Sequence, residues 1–120
     1  MHVYSFEKLE VWKASIQLAK KIYHNTKSFP DDEKFGLISQ MRRRSISIAS
    51  NIAEGTARLT NKDKAHFLTI AYSSALELLN QIIIAKELQF ISDENYLNIR
   101  FEIEFITNKI NALRNHFIKS

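Results

Sequence analysis

Tyr96, Ile99, Ile103, Ile106, Ile110, Leu113 and Phe117 recur at alternating steps of three and four along the last quarter of the chain. These apolar side chains share a face only if the backbone turns by about 100° per residue, so the segment is an amphipathic α-helix. The stripe is too wide and too apolar to stay in water, and it must be covered by other helices.

The rest of the chain supplies them. A first helix over about 6–26 places Leu9, Trp12, Ile16, Ala19, Ile22 and Tyr23 on one side and Lys8, Lys13, Lys20 and Lys21 on the other. A second, over about 32–54, follows Pro30, with Asp31 and Asp32 expected as cap and dipole complement and Gly55 as the left-handed residue that ends it. Thr60-Asn61-Lys62-Asp63 has the form of a capping box and opens a third helix over about 61–90; Ser92 caps a fourth over about 93–117. Two Gly and one Pro in 120 residues agree with long elements and few turns. The expected fold is an all-α, antiparallel up-down-up-down four-helix bundle, one domain over 1–120. An extended coiled coil would satisfy the heptads too, but the regularly spaced breaks oppose it.

Helix two has two unlike faces. Ile38, Met41, Ser45, Ile48, Ala49 and Ile52 form the core side, while Gln40, Arg43, Ser47, Asn51 and Glu54 gather within an arc of about 80° opposite. Short polar side chains and a guanidinium suit fixed hydrogen bonds better than bulk water, so that second face reads as a contact surface. Helix three also has two stripes. Leu68, Ala71, Tyr72, Ala75, Leu78, Leu79 and Ile82 form its core side, and Ile70, Ser74, Glu77, Gln81, Ile84 and Leu88 form a second seam. The expectation is that the polar face of helix two and this seam meet across protomers in a homo-oligomeric ring, with Ile70, Ile84 and Leu88 supplying buried apolar area.

The net charge of +4 is concentrated. Between Glu33 and Lys64 seven basic residues face three acidic ones, and the remainder of the chain balances. Arg43, Arg44, Arg58, Lys62 and Lys64 are therefore the candidate nucleic-acid contacts, acting on phosphates. The competing reading makes them salt bridges to a neighbouring protomer's Glu77 or Glu54. Arg42, beside an apolar row, is expected to be partly buried with a carboxylate partner. Phe35 and Phe67 read as packing residues, which argues against readout of single strands. Phe101 and Phe105 lie off the heptad of helix four and are expected to widen the core against helix one, with a partner surface as the alternative.

No chemistry declares itself. The chain has no Cys, which excludes thiol catalysis and disulfides and fits a reducing cytoplasm. His2, His24, His66 and His116 have no partner at metal-ligand spacing, and no Glu is followed by His three positions later. Gly55-Thr56-Ala57-Arg58 lacks the Gly and Lys of a phosphate loop. No catalytic residue, metal or cofactor is expected. Residues 1–5 carry no pattern, no targeting segment precedes helix one, and no apolar run approaches the ~18 residues of a membrane span.

Phe6-Glu7-Lys8-Leu9-Glu10-Val11-Trp12, Phe29-Pro30, Gly36-Leu37, Gln40, Arg43 and the run Ser47-Ile48-Ala49-Ser50-Asn51-Ile52-Ala53-Glu54-Gly55 together resemble the bacterial 23S ribosomal RNA intervening-sequence proteins, also called the four-helix-bundle protein family. The likeness extends from about Phe6 to Phe117, and Gln40, Arg43, Ser47, Asn51, Glu54 and Gly55 match the family run; Ser50 and the third consecutive arginine, Arg44, look particular to this chain. The resemblance implies a small helical bundle that assembles as a homopentamer. It also implies similarity to the accessory proteins of diversity-generating retroelements, basic pentamers that bind nucleic acid and a reverse transcriptase. A non-enzymatic, cytoplasmic oligomer that binds nucleic acid, structured RNA foremost, is the expectation; an assembly scaffold that recruits another protein is the alternative.

Overall fold

The computed structural model describes residues 1–119, and Ser120 lies outside the described residues. Four α-helices, α1 (Glu10–Thr26), α2 (Leu37–Ala57), α3 (Asn61–Glu87) and α4 (Asp93–Lys119), carry the fold, with 3₁₀ turns at Ser5–Lys8 and Asp31–Glu33. Among the described residues there is no strand. Each helix packs against two others: α2 touches α1 and α3, and α4 touches α3 and α1.

The stripe of α4 is buried where it has neighbours. Tyr96, Ile99, Ile103, Ile106 and Ile110 are inside, while Leu113 and Phe117, nearer the free end, are half-buried against the core. Leu18, Ile22, Met41, Ile48, Ile52, Leu68, Leu78 and Ile82 complete it, each contributing about 1.5–3 kcal/mol of burial. The buried line of α1 is Val11, Ser15, Leu18, Ile22 and Thr26, rotated from the expected one. Two of its members are polar but satisfied within the helix: Ser15 donates to Trp12 O at 2.7 Å and Thr26 to Ile22 O at 2.7 Å. Tyr23, expected in the core, is exposed. Phe101 is also exposed, at 73%, whereas Phe105 packs on the core; of the two off-heptad phenylalanines only the second widens it.

The helix ends show what the local sequence dictates. Thr60 Oγ1 accepts from Asp63 N–H at 3.1 Å, and Ser92 Oγ from Asn95 N–H at 3.1 Å, as the caps predict. Asp31 and Asp32 do not cap α2, because their segment forms its own 3₁₀ turn and α2 starts only after Gly36. Helix one likewise starts later than expected, after an extended Leu9. α3 stops at Glu87 rather than Phe90: Gln89 takes a left-handed φ of 63°, with Gln89 N–H on Lys86 O and Phe90 N–H on Ala85 O, both 2.9 Å. This is the Schellman arrangement, closed by Phe90 packing 5.6 Å from Phe29.

Gly55 does not end α2. It lies two residues inside the helix, and no glycine has a positive φ. A Cβ there would stand 3.2 Å from Phe67 Cβ and 3.4 Å from Lys64 O, so the missing side chain is what lets α2 and α3 approach. Within α3 one 18-residue window reaches a mean hydropathy of 1.4, enough by length and composition to cross a membrane; here the apolar residues of α3 pack against α2 and α4.

Candidate nucleic-acid interface

Part of the polar face of α2 meets part of the second seam of α3 within the protomer. Gln81 Nε2 donates to Gln40 Oε1 at 3.4 Å, Arg44 Nη1 lies 3.5 Å from Glu77 Oε2, and the hydroxyls of Ser47 and Ser74 are 2.9 Å apart. Asn51 backs this row, donating to Ser47 O at 2.8 Å and to Ser47 Oγ at 3.0 Å. Ser74 and Gln81 are buried by it, and Gln81 Oε1 has no hydrogen-bond partner among the described residues. The reason is geometric: α2 turns its core side inward, so the neighbouring face falls directly over α3 of the same chain. Ile70 is half-buried there, while Ile84 and Leu88 remain exposed, at 41% and 53%.

The basic residues do not form one cluster. Arg43 and Arg58 stand toward opposite ends of α2, roughly 20 Å apart along the axis at about 1.5 Å per residue. At the far end Arg58 pairs with Glu54 at 3.6 Å and stacks 4.3 Å over Phe67. Lys64 Nζ donates to Thr56 O at 3.2 Å. Lys62 is exposed and, among the described residues, carries no ion pair. At the near end Arg44 is held by Glu77, and Arg43 is exposed without an ion pair among the described residues. Glu77 and Glu54 thus each have an arginine partner within the protomer.

Arg42 is partly buried as expected, though its partners are not carboxylates. Its Nε donates to Thr26 Oγ1 at 2.9 Å and its Nη2 to Tyr23 O at 3.4 Å, with the guanidinium 4.7 Å over the Tyr23 ring. Beside it an open cleft of about 340 Å³ is lined by Tyr23, Lys34, Phe35, Ile38, Arg42 and Arg43. Phe35 is no packing residue: it is 90% exposed. The sequence reading missed it because the segment between Pro30 and Gly36 has no period from which to judge a face; its place beside Lys34 was the available signal.

On α4, hydrogen bonds from Arg100 to the Tyr96 hydroxyl, at 2.7 Å, and to Glu104, at 3.1 Å, raise the guanidinium above its ordinary value. Among the described residues no three His, Asp or Glu side chains converge to hold a metal.

No curated protein matches the chain. Among solved structures it is similar to a protein of unknown function from the S23 ribosomal protein family of Bacteroides thetaiotaomicron, with 22% identity and a TM-score of 0.78, over 87% of this chain and 97% of that one. At that identity the likeness is one of fold. Residues 7–112 match the 23S rRNA-intervening sequence protein family, and with nearly the whole bundle inside the match, the chain belongs to that family.

Proposed function

We propose that this protein is a non-enzymatic, cytoplasmic bundle that assembles with copies of itself and binds structured RNA through phosphate contacts from Arg43, Arg44, Arg58, Lys62 and Lys64. One observation carries the reading: the charge excess of the chain lies on α2 and the loop after it, with Arg43 and Lys62 exposed and unpaired among the described residues. The partners of Arg44 and Arg58 do not disqualify them. Exposed ion pairs are worth about 0–1 kcal/mol, so phosphate can displace the carboxylate.

An up-down-up-down bundle is supported by α2 and α3, whose partners run in opposite order: 40 with 81, 44 with 77, 47 with 74. The family resemblance supports a homopentameric ring, in which five copies at +4 each carry about +20 and weak contacts gain from effective concentration. It also supports a protein partner such as a reverse transcriptase. A second reading, a scaffold without a nucleic-acid role, draws on the exposed Ile84 and Leu88 and on an apolar groove between α1 and α2 lined by Trp12, Ile16, Ile46, Ala49 and Ala53.

Light scattering of the purified protein, with absorbance at 260 and 280 nm across the peak and a salt series, separates the two. An oligomer carrying nucleic acid that is shed as salt rises supports RNA binding; an oligomer that carries none and binds no added RNA supports the scaffold. A monomer at micromolar concentration removes the assembly.

A further inference from the structure

We infer that the cleft between the end of α1 and the start of α2 seats an unpaired nucleotide of single-stranded RNA, with the base stacked on Phe35 and the phosphates held by Lys34, Arg42 and Arg43. The inference rests on the proposed RNA-binding function and assigns it a reading surface that shares only Arg43 with the expected cluster.

Phe35 is the starting observation. At 90% exposure its ring lies outside the core, on the turn between the 3₁₀ segment and α2. An apolar ring in water is unfavourable by its whole exposed area unless a partner covers it. The cover is chosen by its neighbours, which are cationic. Lys34 Nζ lies 5.7 Å from the Phe35 ring centroid, and Arg42 and Arg43 line the same cleft with no carboxylate among the lining residues. Of the acidic turn just before it, none of Asp31, Asp32 and Glu33 lines the cleft, and Glu33 Oε1 accepts from Leu37 N–H, at 3.4 Å.

Arg42 is preorganised for the task. Thr26, 1% exposed, gives its own proton to Ile22 O, so its oxygen serves Arg42 Nε purely as acceptor. Together with Tyr23 O and the Tyr23 ring, this fixes the guanidinium while leaving N–H donors unspent for a phosphate. Arg43, next in sequence and without an ion pair among the described residues, adds a second cation at the rim. An aromatic face beside cations is the combination that holds single strands, because a base offers its π-face only when unpaired. The other basic end lacks this: Arg58 already covers Phe67, and Lys64 is bonded to the backbone.

The test uses the full-length protein, a fluorescent eight-nucleotide single-stranded RNA and a blunt-ended RNA duplex without a loop, read by anisotropy at one salt concentration, with wild type, Phe35→Ala and Phe35→Tyr. Phe35→Ala is expected to bind the single strand about tenfold more weakly and the duplex as wild type does, with Phe35→Tyr restoring affinity. Equal single-strand binding by wild type and Phe35→Ala overturns the cleft while leaving RNA binding elsewhere intact. Equal losses on both RNAs also overturn it, as does a changed oligomeric mass of Phe35→Ala, which would assign the ring to a contact between copies. Failure of the wild type to bind either RNA overturns the functional reading itself.

Discussion

The hydroxyls of Ser47 on α2 and Ser74 on α3 stand 2.9 Å apart inside one protomer. They occupy the middle of a polar row that fixes how two helices lie on each other, with Asn51 locking Ser47 from the same helix. A neutral hydrogen bond contributes about 1 kcal/mol, and a buried hydroxyl deprived of its partner costs about as much again or more. Ser47→Ala and Ser74→Ala should each lose about 1 kcal/mol in urea unfolding, and the double variant less than the sum, because no hydroxyl is then stranded. Strict additivity would show that the pair is not coupled.

Gly55 separates two uses of glycine that a substitution series can tell apart. At a left-handed helix end, Asn is tolerated better than Ala. Where a backbone is approached closely, size decides. With Phe67 Cβ only 3.2 Å from the position of a Cβ, Gly55→Ala should cost about 1 kcal/mol net of its gain in helix propensity, and Gly55→Asn about 2–3 kcal/mol. Thermal unfolding that ranked Asn above Ala would return Gly55 to the helix end.

Gln89 carries the strain that Gly55 does not. It holds φ at 63°, a conformation that costs a residue with a Cβ about 1–2 kcal/mol. The bonds of Gln89 and Phe90 to Lys86 and Ala85 and the contact of Phe90 with Phe29 impose it. Gln89→Gly should therefore stabilise the protein, by about 0.5–1 kcal/mol after the added entropy of an unfolded glycine. A loss of stability in the same unfolding experiment would mean that the Gln89 side chain contributes more than its backbone costs.

Periodicity decided what was legible. The stripe of α4 could be read almost residue by residue because strict spacing leaves a helix one face to bury, and Ile99, Ile103, Ile106 and Ile110 are all at or near zero exposure. In α1 the signal was split: Ser15 and Thr26 look polar in sequence, yet they sit on the buried line once their hydroxyls are spent on the preceding turn. The polar row of α2 was recognisable as a contact face, but a period says which residues share a face and not which helix covers it. The same chain's α3 and a neighbouring copy were equivalent from the sequence; in the fold Gln40, Arg44 and Ser47 of α2 reach α3. Phe35 had no period at all, and only its exposure in the fold shows that nothing in the core claims it.

The ion pair of Arg44 and Glu77 offers the last test, because it joins structure to the proposed function. Its atoms are 3.5 Å apart and its side chains 33% and 55% exposed, so solvent screens it and Glu77→Gln should change stability by no more than about 0.5 kcal/mol. Its effect on RNA should be larger. The substitution frees Arg44 for a phosphate and removes an anion from its path, so affinity should rise about two- to fivefold at roughly 0.1 M salt, with a salt dependence steeper by about one phosphate contact. Arg44→Gln should leave the Glu77 charge uncompensated and weaken binding. Unchanged affinity in both variants would place RNA away from α2 at this level, and a change in oligomeric mass would assign Glu77 to a contact between copies.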